Sequence, residues 1–178
     1  VDLDSAKRLG IDVFNTPDAP TQAVAELTIA HMLNMLRHVS TTEASMRNGQ
    51  WTPLMGSLLA TKTIGLIGLG RIGNAVAKLA QAFGARVLAY DPVLNTHQKV
   101  HLESLEEVLA QADIVSLHVP INEETFHLID AQLLARMKQG AFIVNVSRGG
   151  LIDESALEQA LKSNHLAGAA LDLSLIHI

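Results

Sequence analysis

Cysteine is absent from the 178 residues. That excludes disulfides, thiolate metal sites and a cysteine nucleophile, and it suits a reducing compartment, so the cytoplasm is the expected location. Charge is scarce as well. Charged side chains make up 17% of the chain, and thirteen basic against eighteen acidic groups leave a formal charge of −5. A net negative chain repels a phosphate backbone, so no nucleic-acid partner is expected and an anionic ligand must be met by local groups. The most apolar long segment, Ala23 to Val39, is interrupted by Glu26, His31, Asn34 and Arg37, too polar for a membrane span. A signal-peptide pattern, internal repeats and low-complexity segments are also missing.

Core-forming material is plentiful, with 48% of residues apolar. The chain begins at Val1 and stops in an apolar run at Ile178; both ends read as cuts through a longer protein. Asp2 to Leu9 predicts a short helix capped around Gly10, and Ile11 to Phe14 a strand ended by Asn15, Thr16 and Pro17. Pro17 and Pro20 stiffen a connector. From Thr21 to about Arg47 apolar residues recur at helical spacing around most of the circumference, which predicts one long helix buried between domains or subunits. Met32, Met35 and Met46 are expected to fill core or interface, and Trp51 to anchor the loop Gly49 to Thr61.

Beyond that loop, apolar strand-like runs alternate with helical stretches. Strands are predicted at Thr63 to Ile67, Arg86 to Tyr90, Asp113 to Leu117, Ala141 to Val146 and Ala167 to Leu171. Helices are predicted at Ile72 to Phe83, Leu102 to Ala110, Ala131 to Met137 and Glu154 to Leu161. Short apolar strands separated by helices are what a parallel sheet covered on both faces requires, so the expected fold is α/β, a Rossmann-type doubly wound parallel sheet.

The first strand runs into Gly68, Leu69, Gly70, Arg71, Ile72 and Gly73, and a helix follows at once. In such a loop Gly68 permits the tight turn, Gly70 lets the backbone approach a pyrophosphate, and Gly73 lets helix and strand pack closely. The helix-start amides then face the anion. Asp91 ends the second strand, eighteen residues after Gly73. An acid there accepts hydrogen bonds from the adenosine ribose hydroxyls and repels a 2′-phosphate, which predicts NAD rather than NADP. The competing reading is that Asp91 merely starts a turn before Pro92. Further polar groups follow later strands: His118, Val119 and Pro120, then Ser147 and Arg148, then Asp172. Open α/β sheets bind ligands beyond the carboxyl ends of their strands, so these groups and Asp91 are expected in one crevice.

The runs GLIGLGRIG, ADIVSLHVP, NVSRGGLIDESAL and HLAGAALD, with FNTPDAPTQAVAELTIAHML before them, resemble the D-isomer-specific 2-hydroxyacid dehydrogenases in order and spacing, above all the phosphoglycerate dehydrogenase branch. The resemblance covers almost the whole chain. It implies that residues 1–15 are a short remnant of a second, substrate-binding domain, 16–61 the interdomain linker and long helix, and 62–172 the NAD-binding domain. It further implies that Arg71 and Ile72 border the pyrophosphate, that Val119 and Pro120 lie on the adenine side, that Val146 and Ser147 line the nicotinamide, and that Asp172 contacts the carboxamide. Arg148 matches the family's catalytic arginine. A permanently charged guanidinium can grip a 2-oxo acid's carboxylate and orient C2 toward the hydride; the competing reading is a surface arginine in a strand-to-helix turn. A small 2-hydroxy or 2-oxo acid substrate and a homodimer through the helix at 21–47 are the implied partners.

The sequence departs from the family after Asp172. The family's catalytic histidine and the carboxylate that tunes it lie beyond the matched segment, and the tail Leu173 to Ile178 reads as non-native; His177 is assigned no role. A chain of this kind is expected to bind NAD weakly at best and not to turn over. NAD(H)-sensing corepressors of the C-terminal-binding-protein type share the resemblance and form the alternative, a binding protein rather than an enzyme. His97 and His101 have a spacing compatible with a metal but no third ligand, so no metal is expected. His118 is read as a structural or cofactor-edge histidine, and His31 and His38 as packing or interface residues. The triplet Asn145, Val146, Ser147 matches a glycosylation site by accident.

Overall fold

The computed structural model describes residues 2–16, 18–94 and 96–172. The tail at 173–178, with His177, lies outside the described residues.

A six-stranded parallel sheet forms the centre. Its strands are β1 (Thr63–Ile67), β2 (Arg86–Tyr90), β3 (His101–Leu102), β4 (Ile114–Leu117), β5 (Ala141–Asn145) and β6 (Leu166–Leu171), in the spatial order β3-β2-β1-β4-β5-β6. This is the doubly wound order whose direction reverses between β1 and β4, the place where such sheets open a ligand crevice. The period of two along each strand sorts side chains onto two faces. Ile64 and Leu66 of β1, Val87 and Ala89 of β2, Ile114 of β4 and Val144 of β5 face one core. Ile67, Leu88, Val115, Leu117 and Ile143 face the other.

Helices cover both faces. The first core is closed by α2 (Thr21–Arg37), through Ala25, Ile29, Met32 and Leu36, and by α4 (Arg71–Ala82), through Val76, Ala77 and Ala80. The second is closed by α5 (Leu105–Gln111), α6 (Ala131–Arg136) and α7 (Glu154–Lys162). The sequence starts these last three with side-chain caps: Ser104, Asp130 and Asp153 accept from the amides of Glu107, Leu133, and Ser155 with Ala156. A short helix, α1 (Leu3–Arg8), capped by Asp2, precedes them all.

Several expectations are corrected. The helix from Thr21 does not continue to Arg47: it ends at Arg37, His38 takes a left-handed conformation (φ 54°), and α3 (Val39–Arg47) begins anew. Asn34 holds the break, its Oδ1 accepting from the amide and hydroxyl of Ser40 at 2.9 and 2.8 Å. In the single chain, α2 is covered on one side. Within this chain its buried residues, Ala25, Thr28, Ile29, Met32 and Leu36, form one stripe at helical spacing that faces the sheet and α4; burial of the other sides between domains or subunits is a matter for the whole protein. Ile11–Phe14 forms no strand and is exposed, since no described strand lies beside it to share its hydrogen bonds. Trp51 is 76% exposed rather than an anchor: it lies in the loop after α3, a helix that itself buries no residue in this chain. Met46 is exposed as well, whereas Met32 is fully buried and Met35 packs on the first core. The strand β3, only two residues long, replaces the predicted helix start at Leu102.

Candidate functional site

The chain leaves β1 through Gly68, which adopts φ +97°, a region that penalises any Cβ. A Cβ there would also lie 2.8 Å from the carbonyl of His118 and 2.9 Å from Val119 Cγ1, so the loop rests directly on the segment that leaves β4. At Gly73 a Cβ would overlap the Gly68 carbonyl oxygen, and this contact sets how closely α4 approaches β1. At Gly70, by contrast, a Cβ would meet nothing within 4 Å. The outer side of the loop is therefore open while its inner side is closed. Because α4 starts at Arg71, the amides of its first turn have no helical acceptors and carry the positive end of the helix dipole.

Asp91 reaches the loop from the end of β2. Its Oδ2 accepts from the Leu69 amide at 2.8 Å, and its Oδ1 from the amides of Val93 and Leu94 at 2.9 and 3.1 Å. Burial alone would raise this carboxyl, but the three amide hydrogen bonds outweigh it and hold the group below its ordinary value, so it stays ionised. Asn74, not singled out from sequence, donates from its side-chain amide to the carbonyls of Leu69 and Gly70 and ties the loop to α4. Arg71 is exposed, with its Nε 3.4 Å from Asp18 of the connector. Ile72 packs against the first core.

On the other side of the crevice, Val119 is buried and Pro120 exposed. His118 places Nε2 3.0 Å from Ser116 Oγ, while its Nδ1 is buried without a partner. Burial lowers its pKa from 6.5 to about 4, so the imidazole is neutral. After β5, Val146 is buried and Ser147 half-buried, its hydroxyl donating to the Leu117 carbonyl at 2.9 Å. Arg148 is exposed, its Nη1 donating to the Ser147 carbonyl at 2.7 Å. Asp172 follows β6, exposed, with its amide donating to the Asn145 carbonyl at 3.0 Å. All these residues lie at the carboxyl ends of the parallel strands. His97 accepts from the amides of Lys99 and Val100, and His101 pairs with Glu103 at 2.7 Å.

The profile of the D-isomer specific 2-hydroxyacid dehydrogenase family, NAD binding domain, matches residues 29–174. The chain belongs to this family. A hydroxypyruvate reductase of Thermotoga maritima is 43% identical over 176 residues, which is 97% of this chain and 58% of that protein. A D-3-phosphoglycerate dehydrogenase of Bacillus subtilis is 40% identical over 179 residues, 97% of this chain and 34% of that protein. The crystal structure of a D-lactate dehydrogenase with NAD+ from Lactobacillus jensenii superposes with a TM-score of 0.89 at 36% identity, covering 98% of this chain and 55% of that one. The chain thus spans between about a third and somewhat over half the length of the relatives it matches.

NAD is the cofactor of this 2-hydroxyacid dehydrogenase domain, and the geometry fits it. The glycine loop is open where a pyrophosphate must approach and closed where a side chain would otherwise stand, and an ionised acid faces it from the end of the next strand.

Proposed function

We propose that the whole protein is an NAD-dependent oxidoreductase that interconverts a D-2-hydroxy acid and its 2-oxo acid, with D-3-phosphoglycerate as the first substrate to try. The observation that carries this reading is the grouping of the glycine loop, Asp91, Arg148 and Asp172 at the carboxyl ends of β1, β2, β5 and β6 in a chain of this family. The relatives named as dehydrogenases and a reductase favour an enzyme over a corepressor.

Bound NAD supplies the hydride acceptor. The chain's own residues bind and orient. The free amides at the start of α4, with Gly70, Arg71 and Ile72 around them, hold the pyrophosphate, and Gly68 and Gly73 let loop and helix close beneath it. Asp91 takes the adenosine ribose hydroxyls, and Val119 and Pro120 border the adenine. Val146 and Ser147 line the nicotinamide, and Asp172 accepts from its carboxamide. Arg148 is the catalytic residue of this segment. Turned from the Ser147 carbonyl toward the crevice, its guanidinium grips the substrate carboxylate and aligns C2 for transfer. The proton on the substrate oxygen is handled by a histidine outside residues 1–172. The protein works as a homodimer in the cytoplasm, through the helical segment 21–47, whose last part, α3, leaves Val39 and Met46 exposed.

Following absorbance at 340 nm while the whole protein is offered NAD+ with D- or L-2-hydroxy acids tests the proposal. Reduction with a D acid and none with its L isomer is expected; no reduction with any 2-hydroxy acid would overturn it.

A further inference from the structure

Asn145 closes β5 with its side chain enclosed, 1% exposed. Both ends of its amide are used: Oδ1 accepts from the Ser147 amide at 3.0 Å, and Nδ2 donates to the Arg148 carbonyl at 2.8 Å. Its backbone carbonyl accepts the Asp172 amide at 3.0 Å. Its neighbour across the sheet, Leu117, receives the Ser147 hydroxyl at 2.9 Å. One buried residue is thus bonded to Ser147, Arg148 and Asp172.

The chain leaves the sheet at this point, so Ser147 N–H and Arg148 C=O have no partner in the strand ladder. A side-chain amide can replace that ladder because it offers one acceptor and one donor in a fixed plane. Aspartate would face the Arg148 carbonyl with an oxygen and bury a charge; leucine, of similar shape, would leave the Ser147 amide unpaired and the Arg148 carbonyl with the Leu151 amide alone, at 3.2 Å. Arg148 itself is extended (φ −143°, ψ 137°) and enters a short 3-10 turn, Gly149–Leu151. Its carbonyl accepts from the Leu151 amide at 3.2 Å within that turn and from Asn145 at 2.8 Å, and the Asn145 bond is the one that ties the point from which the guanidinium departs back to the sheet.

We infer that Asn145 is the positioning residue for Arg148, holding the backbone from which that side chain reaches the substrate carboxylate. This rests on the role given to Arg148 above. A misplacement of about 1 Å in such a group costs on the order of a hundredfold in rate, and Asn145 prevents it without touching substrate.

The test is a double-mutant cycle in the whole protein, with Asn145→Asp, Arg148→Ala and the two combined. The readouts are oxamate affinity in the NADH complex, the NADH dissociation constant and the melting temperature. Oxamate, a non-reacting mimic of a 2-oxo acid, reports the carboxylate grip apart from turnover. Asn145→Asp is expected to weaken oxamate roughly tenfold or more in the wild-type background and to add no loss once Arg148 is alanine. Asn145→Ser, which keeps one of the two bonds, is expected to lie between wild type and Asn145→Asp, and it carries the test if the aspartate variant does not fold. Equal losses in both backgrounds, or no loss from either Asn145 variant while Arg148→Ala abolishes binding, would overturn the inference and leave the role of Arg148 standing. Oxamate binding undiminished in Arg148→Ala would overturn both.

Discussion

The carboxylate of Asp91 and the amide of Leu69 are joined by a 2.8 Å hydrogen bond across 22 residues of sequence. The other carboxylate oxygen caps the turn at Val93 and Leu94. Capping a turn and facing the glycine loop, which as readings of the sequence exclude each other, are here two uses of one side chain.

Asp91→Asn keeps an acceptor for part of this network but removes the charge. Hydrogen bonds to a charged group contribute about 1.5–3 kcal/mol each, so NADH affinity is expected to fall about tenfold to a hundredfold. The preference for NADH over NADPH is expected to narrow, because a 2′-phosphate no longer meets a negative charge. Fluorescence titration with the two reduced cofactors reads both. An unchanged ratio would remove Asp91 from cofactor selection.

Gly70 and Gly73 separate binding from folding. Gly73→Ala drives a Cβ into the Gly68 carbonyl and is expected to lower the melting temperature by several degrees, equivalent to about 1–3 kcal/mol. Gly70 has an ordinary φ of −70°, and its Cβ would meet open space. Gly70→Ala should therefore melt like the wild type and lose NADH affinity, since the added methyl stands where the pyrophosphate approaches. A stable Gly70→Ala protein that binds NADH normally would place the pyrophosphate elsewhere.

His118 predicts acid lability. Its folded pKa, about 4, lies below the ordinary 6.5, so between these values the unfolded chain takes up a proton that the folded chain does not. Its contribution is absent above about pH 6.5, grows as a destabilisation on going down toward pH 4, and reaches about 3 kcal/mol below that. Asp91, whose pKa is lowered from 3.8, adds its loss at lower pH still. Urea unfolding at successive pH values should show the first component in the wild type and not in His118→Leu. The same slope in both proteins would assign it to other groups.

Val39, Met46, Trp51 and Met55 are exposed, Met55 to 95%, and they follow one another along α3 and the next loop. If a second copy covers them, Met46→Glu with Met55→Glu should convert the whole protein from dimer to monomer in sedimentation equilibrium. A dimer that survives both charges would shift the interface to another face.

The strands were legible because their signal is local. Thr63–Ile67 and Arg86–Tyr90 are short apolar runs bounded by turn residues, and the glycine loop after the first carries its own steric reason. β3 was not legible, since two residues hold no period. The break at His38 has no signature in hydrophobic spacing, because its stabiliser, the Asn34 to Ser40 bond, is a side-chain choice. Asn145 illustrates the same limit within the site. In sequence it was only the first letter of an accidental triplet, and nothing there shows which backbone groups at a strand end lack a ladder partner.

The sequence by itself determined the alternation of strand and helix, the glycine loop, the acid that follows it and the family, because each depends on spacing within a few turns of chain. Only the tertiary structure decided that Asp91 holds Leu69, that Ser147 hangs from Leu117, and that Asn145 gathers Ser147, Arg148 and Asp172. Those partners are set by which strands lie side by side and in what register, and that order follows from the burial of two apolar faces rather than from any local pattern.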